Sequence, residues 1–324
     1  MNMEIGSFIE LDLRNTGEYY QGKENIARLN SARAGIYHAC RLLNCNSIHI
    51  PFYLCPTVKK FLVQNRIRVK TYFISHEFEP ENFKQEDGHA ILLVNYFGFL
   101  SASKIRILAS RFENVIIDNS AAFYSKPTER SYNVYSPRKF FGLPDGCYVI
   151  GNDASKLTEG YEQDFSSDTA SFLLKRIEYG SSAIYGERMK NEERIDNSGV
   201  LKMSLLTKSL LNSVDYSGIK NIRKRNFRYA NSLFKNINRI DPTMFIDKDC
   251  VPMVYPLVIE KSELIDTLKK NHIYTGRWWT HVLSEVPESS FEGWMSKFMI
   301  PIPVDQRYNE QMINHIHDIV RVSI

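Results

Sequence analysis

Cysteine is sparse and unpatterned in this chain: five occur in 324 residues, Cys40, Cys45, Cys55, Cys147 and Cys250, with no C-x-x-C pair and an odd count. That argues against a disulfide framework and for reduced thiols, which suits a cytoplasm. Apolar runs are short as well, none approaching the roughly 18–20 residues that a membrane span needs. The opening MNMEIGSFIELDL is acidic early and lacks a basic-then-apolar run, so no signal peptide and no membrane partner are expected. Charge of one sign is not concentrated either. The formal net charge is +4 with acids and bases interspersed, too small an excess to imply nucleic acid. The most basic stretch, Lys220, Arg223, Lys224, Arg225 and Arg228, reads as one solvated helix face. No G-x-G-x-x-G follows a strand, no G-x-x-x-x-G-K occurs, and Gly-rich serine elbows are missing, so nicotinamide, ATP and serine-hydrolase chemistry lack their usual signatures. His315 and His317 lie two apart on an expected helix and point to different faces, so no metal is expected there.

What is present is an alternation of elements. With 43% hydrophobic and 24% charged residues, the chain has the balance of an ordinary globular protein, enough for a large α/β domain and a smaller one. Ser31 to Leu43 reads as a helix with Ser31 at its N-cap, and Ser47 to Ile50 as a strand stopped by Pro51. Pro56 opens a second helix whose buried side is Val58, Phe61 and Leu62. Strands are expected near Val69 to Ile74, Ala90 to Tyr96, Asn114 to Asp118, Tyr132 to Ser136 and Cys147 to Gly151, with a helix near Ser103 to Phe112. Continuous apolar strands separated by helices imply a parallel or mixed sheet covered on both faces. From Lys156 to Leu211 the pattern is patchily helical, with Tyr179 to Ser198 loop-like. A long helix over Gly218 to Ile237, a strand over Met253 to Ile259, a helix over Ser262 to Asn271, a strand-like Ile273 to Tyr274 and a closing helix over Asn309 to Val322 form a smaller α+β unit. The division expected is an N-terminal arm over 1–30, a large domain over 31–215 and a small domain over 216–324.

Sheets of this kind bind ligands beyond the carboxyl ends of their strands, and three positions there stand out. Lys139 follows a strand inside Tyr-Ser-Pro-Arg-Lys-Phe-Phe-Gly-Leu-Pro-Asp-Gly. Aromatics and a Gly/Pro-rich turn would partly desolvate it and favour a neutral amine; a surface lysine in a polar turn is the plain alternative. Asp118 ends a Val/Ile strand, where a carboxylate is costly without a positive partner; alternatively it caps the turn at Asn119 and Ser120. Ser31, Ala32 and Arg33 open a helix whose free N–H groups and dipole suit a phosphate, although most helices have such a cap. Ser136 and Arg138 flank Lys139 and are candidates to supplement that anion site, or Arg138 is simply solvated.

Taken together these segments resemble the DegT/StrS-type sugar aminotransferases, a branch of the fold-type-I pyridoxal-phosphate transferases. Asn30 to Ala39 is similar to the family's phosphate-binding helix start, Ile50 to Thr57 to the strand and loop beside the cofactor ring, and Val115 to Ala121 to the strand ending in the ring-nitrogen aspartate. The Lys139 segment through Asp153 is similar to the cofactor-bearing lysine and its glycine turn. Lys202-Met203-Ser204 and Met299 to Pro303 have counterparts too, so the likeness runs from about residue 25 onward. The resemblance implies an α/β protein of fold type I, with a mostly parallel seven-stranded-type sheet in a three-layer large domain. It also implies pyridoxal 5'-phosphate as cofactor, Lys139 as the catalytic residue carrying it, and Asp118 on the pyridinium nitrogen. Ser31, Ala32, Arg33, Ser136 and Arg138 would serve the phosphate, and Tyr53, Cys55 and Ala121 would lie by the ring.

Three departures are visible. Ala121 stands where members carry Gln or His. The usual stacking aromatic falls at or near Cys55, so either Tyr53 takes that role or the contact is lost. Val200 replaces an asparagine that reaches the partner subunit, with Asn197 the nearest substitute. The activity implied is transfer of an amino group, from a donor such as glutamate to a keto-sugar in nucleotide-sugar or surface-polysaccharide biosynthesis, by a homodimer. A pyridoxal-phosphate enzyme of another type, eliminating or dehydrating, and a non-catalytic relative of the same fold are the alternatives.

Overall fold

The computed structural model describes residues 5–324. Along the chain, β1 (Ile26–Leu29) leads into α1 (Ala32–Leu42), then β2 (Ser47–Pro51), α2 (Pro56–Gln64), β3 (Arg68–Ile74) and β4 (Pro80–Glu81). After them come β5 (Ala90–Val94), α3 (Ala102–Ala109), β6 (Val115–Asp118), β7 (Tyr132–Tyr135) and β8 (Cys147–Ile150). Four helices come next, α4 (Ser171–Ala183), α5 (Tyr185–Asn197), α6 (Leu205–Asn212) and α7 (Tyr216–Phe234). The chain closes with β9 (Val254–Val258), α8 (Leu264–Lys270), α9 (Phe291–Phe298), β10 (Met299–Pro303) and α10 (Glu310–Ser323).

The first eight strands form one sheet in the order β1-β8-β7-β6-β5-β2-β3-β4. The run β7-β6-β5-β2-β3 is parallel, and antiparallel pairs at β1/β8, β7/β8 and β3/β4 close its edges. The expected seven-stranded-type sheet therefore gains an eighth, two-residue strand, β4. Every residue of β2, β5 and β6 is buried, which requires cover on both faces and explains their unbroken apolar sequences. Gly35 lets α1 settle on the sheet: a Cβ there would stand 2.6 Å from Cys147 Sγ and 3.0 Å from Val134 and Val149. That contact also fixes which side chains lie on the α1 face.

A second core joins α7, β9, β10, α8 and α10 through Phe227, Phe234, Leu257, Leu268, Ile302 and Ile313. A third, rich in aromatics, gathers Tyr20, Phe123, Tyr135, Phe140, Phe141 and Tyr148. It anchors residues before β1, and Thr16 N–H donates to Asn212 at 2.7 Å.

Four sequence expectations need correction. Tyr179 to Ser198 is not a loop but the end of α4 and all of α5; α5 buries only Asn191 and Ile195, so it has no apolar stripe to betray it. Gly180, at φ 75°, breaks α4 before its end. Ile273 and Tyr274 belong to no strand, because β10 takes the position beside β9. The basic stretch is not wholly solvated: Arg223 is 2% exposed, donates to the carbonyls of Met253 at 3.1 Å and Phe140 at 3.4 Å, and lies over the Phe140 ring. Burial pulls its guanidinium down to about 10. Finally, the strand expected through Tyr96 stops at Val94, since Tyr96–Gly98 turns tightly with Phe97 at φ 57°.

Candidate active site

Strand register places the candidate residues. Asp118 is the last residue of β6 and pairs with Val134 of β7, so both point to the same face of the sheet. Val134 is one of the side chains against Gly35, which puts Asp118 on the α1 face at the carboxyl end of the parallel strands. It is 6% exposed. Its Oδ1 accepts the Ser120 N–H at 2.8 Å, so it does cap the following turn; among the described residues no cation lies within ion-pair distance of it. The carboxyl group is buried without a positive partner, an unfavourable condition that a bound cationic group would relieve.

Lys139 follows on the neighbouring strand, closing the short 3-10 turn Pro137–Lys139 after β7. Here the structure corrects the sequence reading: Lys139 is exposed, not partly desolvated. Phe140 and Phe141, the aromatics expected to shield it, pack into the third core against Phe123.

The start of α1 has the expected form. Ser31 adopts an extended backbone and its hydroxyl accepts from Ala34 N–H at 3.4 Å, while the N–H groups of Ala32 and Arg33 have no acceptor within the helix. Ser31 is buried and Ala32 half-buried. Arg33 is 7% exposed and donates to Asp196 at 2.5 Å through Nη1. Arg138, also largely covered, donates to Glu192 at 2.6 Å, which excludes the purely solvated reading. Both carboxylates belong to α5, so the helix missed from sequence is what holds the two arginines. Asn30 extends the same clamp, donating to Ser198 at 2.9 Å and Gly199 at 3.1 Å. Ser136 is buried beside the lysine turn.

The ring-side candidates divide. Tyr53 is fully buried, packed edge-on to Trp279 at 4.5 Å and stacked with Tyr96 at 5.7 Å; burial pushes its phenol well up. Cys55 caps α2 half-exposed, with Thr57 Oγ1 at 3.2 Å. Ala121 is buried, and its carbonyl closes on Gly98, where a Cβ has no room. Trp278 and Trp279 lie in the segment after α8. They join Tyr53, Tyr96 and Phe97 in one aromatic wall, with Trp278 stacked on Phe97 at 5.3 Å. Phe97 and Trp279 both adopt left-handed backbone, at φ 57° and 54°, a strain that bulky residues carry only where the surroundings enforce it. Their spacing in the sequence offers no signal of this.

Several buried donors here have no acceptor: Nε and Nη2 of Arg33, Nε of Arg138 and the Tyr53 hydroxyl. Buried polar groups are nearly always paired, so these donors are open to an oxygen-rich partner. A polar groove of about 770 Å³ opens elsewhere, between α3 and the segment 122–131, lined by Asn95, Arg106, Lys126 and Asp249 among others; neither Asp118 nor Lys139 lines it.

No protein-family model matches the chain, and no curated protein sequence matches it. Solved structures do. The sugar aminotransferase CalS13 from Micromonospora echinospora aligns over 93% of this chain and 88% of its own, at 14% identity and a TM-score of 0.64. The putative sugar aminotransferase Spr1654 from Streptococcus pneumoniae in its PMP form gives 92%, 87%, 10% and 0.64. DesV of S. venezuelae, in complex with a ketimine intermediate, gives 92%, 84%, 15% and 0.59. At these identities the likeness is one of fold, and it extends over nearly the whole chain: this protein has the α/β fold of the pyridoxal-phosphate-dependent aminotransferases.

Proposed function

We propose that this protein is a pyridoxal-phosphate-dependent aminotransferase acting on a keto-sugar. The observation that carries the reading is Asp118, a buried carboxylate without a cation, on the α1 face at the carboxyl end of β6. Lys139 follows the adjacent strand, and a Ser31-capped helix opens beside it. The structural neighbours include sugar aminotransferases, one of them in a PMP form, which supports both the cofactor and the substrate class.

Bound at this site, the cofactor would supply an electron sink for the carbon that loses its proton during amino transfer. Asp118 would hold a proton on the ring nitrogen, as a buried anion stabilises a neighbouring cation. The Lys139 Nζ would tether the cofactor and, once released, move a proton as general base and acid. Ser31 and the N–H groups of Ala32 and Arg33 would hold the phosphate, with the spare donors of Arg33 and Arg138 available to it. Tyr53 would present its ring to the cofactor only if Trp279 or Tyr96 gives way.

Lys139 is open to solvent in the single chain, and apolar side chains crowd the surface of the nearby helical segment: Phe165, Leu174, Ile177, Tyr179, Tyr185 and Met189 are all exposed. A second copy packed there would cover them and shield the site, so the working form is read as a homodimer. The amino donor is read as an amino acid such as glutamate.

Titration of the purified protein with pyridoxal phosphate tests the reading. A visible band that borohydride fixes covalently onto the Lys139 peptide, lost in Lys139→Ala, is expected, together with conversion of a keto-sugar nucleotide when glutamate is added. A band fixed elsewhere, or none, would remove the enzymatic reading; a band without amino transfer would leave elimination or dehydration as the reaction type.

A further inference from the structure

Away from that site, two imidazoles and a carboxylate converge. His49 is the central residue of β2 and pairs with Lys70 of β3 and Ile91 of β5. Ile91 in turn pairs with Val115, which points away from the face carrying Asp118. His49 therefore lies on the sheet face opposite α1. Glu86 and His89 come from the segment just before β5 and reach the same spot. His49 Nε2 and His89 Nδ1 are 3.1 Å apart; Glu86 Oε1 stands 3.9 Å from His49 Nε2, and one donor atom from each of the three lies within 4.8 Å of the others.

We propose that His49, Glu86 and His89 form a binding site for a divalent transition metal of the zinc class. The contact between the two rings favours it. His49 Nε2 and His89 Nδ1 approach as a hydrogen-bonded pair that shares one proton, and a metal ion would take that proton's place between them. Two imidazole nitrogens bound at ~2.0–2.1 Å to one tetrahedral zinc would stand roughly 3.3 Å apart, close to the 3.1 Å between these two. Two histidines and a carboxylate are a zinc donor set, and imidazole selects zinc, copper or nickel over magnesium or calcium. His49 is 3% exposed, against the edge of Phe83 at 4.9 Å, which lowers the local dielectric on one side. His89 and Glu86 face outward, leaving a route for the ion and a fourth position for water.

Lys70 is the opposing element, its Nζ at 2.7 Å from both Glu86 oxygens. One oxygen can stay with Lys70 while the other turns to the metal, at the cost of a nearby like charge. The site would pin the segment before β5 to β2 and β3. It lies on the other face from Asp118, so its role is to stabilise the fold and not to take part in the reaction.

The test uses the full chain stripped with a chelator and titrated with Co²⁺ and then Zn²⁺. One equivalent is expected, with Co²⁺ ligand-field bands of a nitrogen and oxygen donor set and no thiolate charge-transfer band from the five cysteines. His89→Gln and Glu86→Gln, both at the outer side of the cluster, should each weaken binding by more than about tenfold, beyond the low end of what an outer-shell partner costs. Lys70→Gln should tighten it, and the exposed His315→Gln should leave it unchanged. Zn²⁺ should raise the melting temperature of the wild type and not of His89→Gln. Absence of saturable uptake, uptake that survives both ligand variants, or a thiolate band would overturn the proposal.

Discussion

At the scale of single residues, the structure separates groups that look alike in sequence. His38 of α1 is buried: its Nε2–H donates to the Ala154 carbonyl at 2.7 Å and its Nδ1 accepts from the Tyr161 hydroxyl at 2.9 Å. Burial holds its pKa below the ordinary 6.5, with the Ala154 bond acting against that shift and Arg41 adding to it. The sign follows. Below about pH 6.5 the unfolded chain binds a proton that the folded one resists, so the stability His38 contributes is present above that pH and lost as pH falls through its folded value. Urea midpoints should therefore drop between about pH 7.5 and about pH 5, and His38→Gln should lose part of that dependence. An unchanged slope in the variant would assign the acid sensitivity to other groups. Asp118 and Lys139 show the same contrast. Both are polar residues after strands, but only register reveals that Asp118 is buried on the α1 face, and only the packing of Phe140 and Phe141 leaves Lys139 in solvent.

Among elements, the loop after Lys139 is tied down by a carboxylate that sequence reasoning passed over. Asp145 is completely buried and takes hydrogen bonds from Ser204 N–H at 2.8 Å, the Ser204 hydroxyl at 2.6 Å and the Thr207 hydroxyl. It thus sits at the N-terminus of α6, where the helix dipole favours an anion. Asp145→Ala would leave three buried donors unpaired and should cost about 2–4 kcal/mol, from ~1.5–3 kcal/mol for one charged hydrogen bond and only partial relaxation of the rest; chemical denaturation measures it. The turn that carries Lys139 would lose its brace as well, so, on the proposed function, pyridoxal-phosphate retention should fall in the same variant. α5 makes the complementary point. Its charged, unstriped sequence hid it, yet Glu192 and Asp196 are what orient Arg138 and Arg33.

For the whole molecule, the exposed apolar residues of α4 and α5 bear on assembly. Ile177 is 83% exposed, so a charge there costs the single chain little, whereas in a dimer interface it would be desolvated. Ile177→Glu is expected to shift the protein towards monomer in light scattering while its circular dichroism stays unchanged. A wild type that is already monomeric would remove the dimeric reading. The separation of the cores also predicts how the chain responds to damage. Leu257→Ala, in the core of α7, β9 and α10, should destabilise by about 2–5 kcal/mol as a buried cavity forms, with most of the loss read in that part by hydrogen exchange.

The sequence by itself determined the elements with a clear period or cap: α1 after Ser31, α2 after Pro56, the buried strands β2, β5 and β6, and α10 after Asn309. Local physics sufficed there, because a continuous apolar run or a capping side chain leaves few alternatives. Lys139 and Asp118 were visible for the same reason, each sitting at the end of a legible strand. Tertiary structure alone decided the antiparallel edges β1/β8 and β3/β4, the helical state of α5, the burial of Arg223 and the meeting of His49 with Glu86 and His89. Apart from the local β3/β4 pair, where the second strand has only two residues, each depends on partners distant in sequence, and pairing across such distances leaves no periodic mark in the chain itself.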